Sequence, residues 1–174
     1  MASIITRNGL LGGASGATFS ECERYRYSLW RIWDDSKPVT NFVMLNPSTD
    51  DESASDPTVT RCLNFATAWG CGGLIVTNLF AFRATDPDEM FRSTEPVGAH
   101  NDQTISDCAE AASIVVCAWG NHGRHLDRSA EVTFMLERAG VVLRCLKQNS
   151  GGEPAHPLYL PSHLRSQRYT RTLP

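Results

Sequence analysis

The 174-residue chain has no apolar run approaching the length of a membrane span. No long apolar stretch with a cleavage pattern follows its first dozen residues either. A cytoplasmic protein without membrane contact is therefore expected. Its six cysteines include no CxxC pair, which leaves neither a zinc ribbon nor a thioredoxin-like motif. The G-x-S-x-G elbow of serine hydrolases is missing. So are phosphate-loop and dinucleotide fingerprints, because Gly70-Cys71-Gly72-Gly73 precedes an apolar run instead of following one. His122, His125 and a neighbouring aspartate match no standard metal-ligand spacing, and no metal or other cofactor is expected. There is no internal repeat and no low-complexity segment. There is also no long basic stripe of the kind that duplex DNA contact requires.

What the chain does have is an ordinary globular composition, 41% hydrophobic and 20% charged, and enough length for one domain with a proper core. A single, monomeric α/β domain over residues 1–174 is expected, with residues 1–16 as an N-terminal arm or irregular segment and residues 161–174 as a basic C-terminal tail. The net charge of −3 says little as a total. Acidic residues crowd positions 50–56 and 86–89, whereas Arg165, Arg168 and Arg171 close the chain with no acid among them. That tail either meets a phosphate backbone or is simply solvated.

Residues 25–33 (Tyr-Arg-Tyr-Ser-Leu-Trp-Arg-Ile-Trp) alternate bulky and polar side chains as a strand does. The turn-rich Asp34-Asp35-Ser36-Lys37-Pro38 leads to a second strand over 39–45, and the two are expected to pair as an antiparallel hairpin. Asp56-Pro57 signals a helix start, with Asp as cap and Pro at the first helical position. Nearly continuous apolar runs at 74–80, 113–119 and 141–146 read as buried strands, separated by helices at 101–112 and 127–139. Cys117 and Cys145 fall in two of these runs, and Cys62 and Cys108 in helical patterns, where free cysteine behaves as a small apolar residue. The order β-β-α-β-α-β-α-β predicts a three-layer α/β/α sandwich. Its central sheet would have about five mostly parallel strands and an antiparallel N-terminal edge hairpin.

Functional groups in such folds gather at the carboxyl ends of strands. Four polar clusters fall there: Asn46-Pro47-Ser48-Thr49, Asn78 with Phe80, Phe82 and Arg83, Asn121-His122, and His156 between Pro154 and Pro157. Asn78, an amide in an apolar strand, must satisfy both donor and acceptor. It either ties two loops together or reads a planar ligand such as a nucleobase edge, with Phe80 and Phe82 as a stacking face. His156 is aimed by its prolines and offers an imidazole N–H to a leaving group, unless it is only a surface histidine. Asn46 has no usable proton affinity but can hold a water through its carbonyl oxygen. Asp50, Asp51 and Asp56 are candidates for basicity. Ser48 or Thr49 as nucleophile lacks a partner base.

Two resemblances follow from these residues. Met44-Leu45-Asn46-Pro47-Ser48-Thr49, Asp56-Pro57-Thr58, Asn78-Leu79-Phe80-Ala81, Ala118-Trp119-Gly120-Asn121 and His156-Pro157-Leu158-Tyr159-Leu160 resemble, in order, the DUF1643 family of small bacterial and phage proteins of unknown function. More remotely, the architecture and strand-end order are similar to the uracil-DNA glycosylase superfamily. That similarity implies Asn46 as the water-positioning group, Asn78 as the base reader and His156 as stabiliser of the departing base. Ser48 stands where a small or aromatic residue is usual, and Leu158-Tyr159-Leu160 replaces the Ser-Pro that follows His-Pro.

A DNA-glycosylase-like protein is thus the leading expectation, with a flipped, unusual or modified base entering a pocket of Asn46, Asn78, Phe80 and His156. Pro47, Ser48, Thr49, Phe82 and Asn121 are expected to line it. Arg83, Arg165 and Arg168 would meet the strand, with Leu158 or Leu160 as the wedge that fills the vacated stack. Two alternatives stay open: a non-catalytic nucleic-acid or nucleotide binder, and a metal-assisted enzyme acting on a small nucleotide or other metabolite.

Overall fold

The computed structural model describes residues 4–8, 14–50 and 56–172. Its elements in chain order are β1 (Ile4–Asn8), β2 (Ala14–Ser20), β3 (Arg26–Ile32), β4 (Val39–Met44), α1 (Pro57–Ala68), β5 (Gly73–Asn78), α2 (Pro87–Arg92) and α3 (Asn101–Ala111). Then come β6 (Ile114–Cys117), a 3₁₀ segment (Asn121–Asp127), α4 (Arg128–Arg138), β7 (Leu143–Cys145) and β8 (Gln167–Arg168). α1 starts where the sequence signals it: Asp56 accepts from the Thr58 N–H at 2.7 Å, with Pro57 in the first turn. No helix among the described residues is long and apolar enough to cross a membrane.

The strands form one eight-stranded mixed sheet in the order β1-β2-β3-β5-β4-β6-β7-β8, larger than the five strands expected. The central four, β5-β4-β6-β7, are parallel, and antiparallel strands flank them on both sides. Residues alternate across this sheet with period two. Val43 and Leu45 join Ile105 of α3 and Val132 and Leu136 of α4 in one core, whereas Phe42 and Met44 join Cys62 and Phe65 of α1 in the other. Helices therefore cover both faces.

The expected hairpin between residues 25–33 and 39–45 does not form, because β5 lies between β3 and β4. The turn after β3 straddles the start of β5 instead. Trp33 and Asp34 donate their N–H groups to the Gly72 carbonyl, and the Gly72 N–H donates to Pro38. A side chain at Gly72 would fall 1.9 Å from the Asp34 carbonyl oxygen, so only glycine permits the crossing. The turn was readable; which strand it spans was not.

Both ends of the described chain contribute strands to the sheet. β1 pairs with β2, and β2 pairs with β3. At the other end β8 pairs with β7, Tyr169 is buried in the core, and Gln148 holds the Thr170 carbonyl at 3.1 Å. Tyr169, packed edge-on to Trp119, anchors this short edge.

The chain leaves β4 for β5 on one side and reaches β6 on the other, so strand order reverses between β4 and β6. In open α/β sheets that reversal opens a crevice beyond the carboxyl ends of the strands.

Candidate functional site

A cleft of about 580 Å³ occupies this crevice. Its walls include Asn46, Pro47 and Ser48 after β4, Asn78 at the end of β5, Gly120, Asn121 and His122 after β6, and His156. The three residues expected to act together thus share one cavity.

Asn46 is fixed by the loop opposite. Its Nδ2 donates to the Ala84 carbonyl at 2.8 Å and to the Pro47 carbonyl at 3.2 Å, while the Ala84 N–H donates to Pro47 at 2.9 Å. Two carbonyl acceptors settle which end of the amide is nitrogen. The carboxamide oxygen has no partner among the described residues and is left as an acceptor. Thr49 lies outside the cleft, with its hydroxyl 2.5 Å from that of Thr85. Arg83 donates to the carbonyls of Glu23 and Thr49 and lies over the Phe19 ring, so its guanidinium is engaged in joining these loops.

Asn78 is 2% exposed. Its backbone carbonyl accepts from Asn101 at 2.9 Å, and the next carbonyl, of Leu79, accepts from Asn101 and from Arg128. Helices α3 and α4 thereby hold the end of β5 in place. The Asn78 carboxamide itself has no hydrogen bond with any described residue and lines the cleft. Both ends of this amide are therefore left to whatever occupies the cleft.

His156 stands at the rim. Its Nδ1 accepts the Leu158 N–H at 3.2 Å, which places the proton of the neutral ring on Nε2. Loss of water around the ring lowers its pKa below the ordinary value, and the charge of Asp56 pulls the other way. Gly120, at a φ of 75° that favours glycine, packs beside His156 and lets the loop after β6 pass close to it. The segment following His156 is clamped by Arg61, which donates to the carbonyls of Pro157 and Leu160. Within it, Leu158 and Leu160 are half-buried, and Tyr159 projects, 93% exposed.

At the mouth, Ser48 donates to Asp56 at 3.4 Å and Asp50 is exposed. Asn121 accepts from Asn149 at 2.9 Å on the opposite side. Behind this wall Trp119 donates to the buried Glu153 carboxylate at 2.7 Å, and Ser129 donates to its other oxygen at 3.1 Å.

Other expected contacts fall elsewhere. Phe80 is 0% exposed, sits in the α3/α4 core and packs on His125, so it offers no stacking face. Phe82 is half-buried, edge-on to Tyr25. Arg165 and Arg168 are exposed, Arg168 on the outer strand β8, and neither lines the cleft. Leu158 does not line it either. Asp51 lies outside the described residues. His122 and His125 both pack on Phe91, and among the described residues no three His, Cys, Asp or Glu side chains gather as metal ligands would.

Reasoning from sequence alone missed Arg26, 4% exposed in the wall, as well as Trp119 and Asn149. The signal for Arg26 was a cation between two tyrosines in a strand. Asn149 carried none, because its place depends on how the loop after β7 returns.

A family model described as "Protein of unknown function (DUF1643)" matches residues 26–158, more than half of the chain. No curated protein and no solved structure gives a significant match.

Proposed function

We propose a function for this chain, which belongs to the DUF1643 family of proteins of unknown function, from the chemistry of its cleft. It binds the base of a nucleoside or nucleotide and hydrolyses the N-glycosidic bond. One observation carries this: the Asn78 carboxamide, with no hydrogen-bond partner among the described residues, opens onto a cavity that also holds the Asn46 oxygen and the His156 ring.

Asn78 presents one donor and one acceptor, the pattern that matches a nucleobase edge. The Asn46 oxygen holds a water, the His156 Nε2–H hydrogen-bonds the departing base, and Asp50 and Asp56 favour positive charge developing on the sugar. The same assignment of roles is what the remote resemblance of the sequence motifs to the uracil-DNA glycosylase superfamily implies. Three observations weigh against DNA as the favoured substrate: Arg83 is engaged, and Arg165 and Arg168 do not line the cleft. A small ligand fits the cleft better.

Hydrolysis is tested by running the reaction in ¹⁸O-labelled water with a panel of natural and modified nucleosides, nucleotides and DNAs. The expected result is free base together with label on the anomeric carbon of the sugar. Free base with unlabelled sugar, or no free base from any substrate, contradicts the proposal. A second reading, ligand binding without turnover, is favoured by the structural use of Asn46 as a loop staple. Ligand binding that survives Asn46→Ala, with no product on long incubation, would select it.

A further inference from the structure

The charges around the cleft bear on its substrate. Asp50 and Asp56 line it, one exposed and one half-buried. Among the described residues the lining holds no lysine, and its one arginine, Arg26, is 4% exposed and is itself engaged in an interaction. Nearby arginines are committed as well: Arg61 to the carbonyls of Pro157 and Leu160, Arg83 to those of Glu23 and Thr49, Arg124 to Glu153 and Gly151. The start of α1 is not open to a phosphate either, because the Asp56 carboxylate already caps it through Thr58.

A phosphate would thus enter a site with two carboxylates and no uncommitted guanidinium in its lining, whereas a cation would be drawn in. The Asn78 carboxamide, lining the same cleft, matches a ligand with a hydrogen-bonding edge. From these features together, and resting on the proposed N-glycosidic hydrolysis, we infer that the substrate is an unphosphorylated nucleoside whose base carries a positive charge, as an N-alkylated purine does.

The chemistry suits this machinery. Water held at Asn46 bonds to C1′ as the C1′–N bond breaks. The electron pair of that bond passes to the ring and cancels its charge, so the base leaves neutral and needs no proton from His156. The water's proton goes to solvent by way of the nearby carboxylates. The products are neutral base, free sugar and one proton.

The test is binding to the full chain by titration calorimetry, so that it does not depend on turnover. The probes are 7-methylguanosine at a pH that keeps its ring cationic, guanosine, 7-methylguanosine 5′-monophosphate, and a short single-stranded oligonucleotide carrying 7-methylguanine. The methylated nucleoside is expected to bind at least roughly fivefold more tightly than guanosine, the scale one partly exposed charge pair supports. The 5′-phosphate should weaken binding, and Asp50→Asn and Asp56→Asn should each shrink the preference. Asn remains a good helix cap, so the second variant keeps α1. Equal or tighter binding of guanosine, or tighter binding of the monophosphate or the oligonucleotide, overturns the inference while leaving hydrolysis standing. Selective binding of the cation without cleavage upholds the inference and removes hydrolysis instead.

Discussion

The Asn46 carboxamide donates to the Ala84 carbonyl at 2.8 Å, and this bond decides which end of the amide is left for a ligand. It also ties the loop after β4 to the loop after β5 across the switch point. Asn46→Ala removes a staple and a water holder together. Stability is expected to fall by about 1 kcal/mol, the net worth of one such hydrogen bond, in urea denaturation. Base release should fall far more, by roughly 10²-fold, as when one positioned group is removed from an active site.

Asn78 predicts the opposite balance. Its side chain has no hydrogen-bond partner among the described residues, so removing it orphans no group there. Asn78→Leu is expected to melt at the same temperature as the wild type or above it, while ligand binding is lost. Gains in stability on deleting a functional polar group are a recurrent trade-off. A marked loss of stability in Asn78→Leu would mean that the amide ties the fold together after all.

The His156 pKa gives a pH dependence with a definite sign. Loss of water lowers it, so the folded protein favours the neutral ring more than the unfolded chain does. Its contribution to stability is complete above the unfolded value, about 6.5, and is lost as pH falls through the lower folded value. Protonation also ends the bond from the Leu158 N–H, since Nδ1 can no longer accept. Ligand binding should therefore fall on the acid side with a midpoint below 6.5. Asp56→Asn removes a charge that raises this pKa and should move the acid limb to still lower pH, as read by NMR titration of the ring.

Glu153 is buried and accepts from Trp119, Ser129 and Arg124. Glu153→Ala leaves two of these donors, on Trp119 and Ser129, buried without an acceptor, and each such loss costs about 1–3 kcal/mol. Denaturant titration should show stability lower by roughly 2–6 kcal/mol. A near-neutral result would show that water replaces the carboxylate behind the cleft wall.

Local signals in the sequence carried much of this architecture. Asp56-Pro57 capped a helix, the runs around Val76, Val116 and Leu143 became buried strands, and Asn46, Asn78, Asn121 and His156 converged because all follow strands at one end of a parallel sheet. Pairing between strands was less legible. The turn at Asp34 suggested a neighbour two residues beyond Lys37, yet Gly72 brought β5 into that gap. Phe80 was misplaced because strand alternation ends at Asn78: Leu74 and Val76 face α1, yet Leu79 and Phe80 both enter the α3/α4 core. Tyr159, not Leu158, is the side chain that projects beside His156, because Arg61 fixes the loop through backbone carbonyls that no side-chain pattern reveals.

The most direct test of the shared cleft is single-turnover release of free base by the wild type, Asn46→Ala, Asn78→Leu and His156→Ala, each first shown to be folded. The account predicts release by the wild type and a large loss in all three variants. No release by the wild type from any base-bearing substrate, or equal rates in all four proteins, would contradict it.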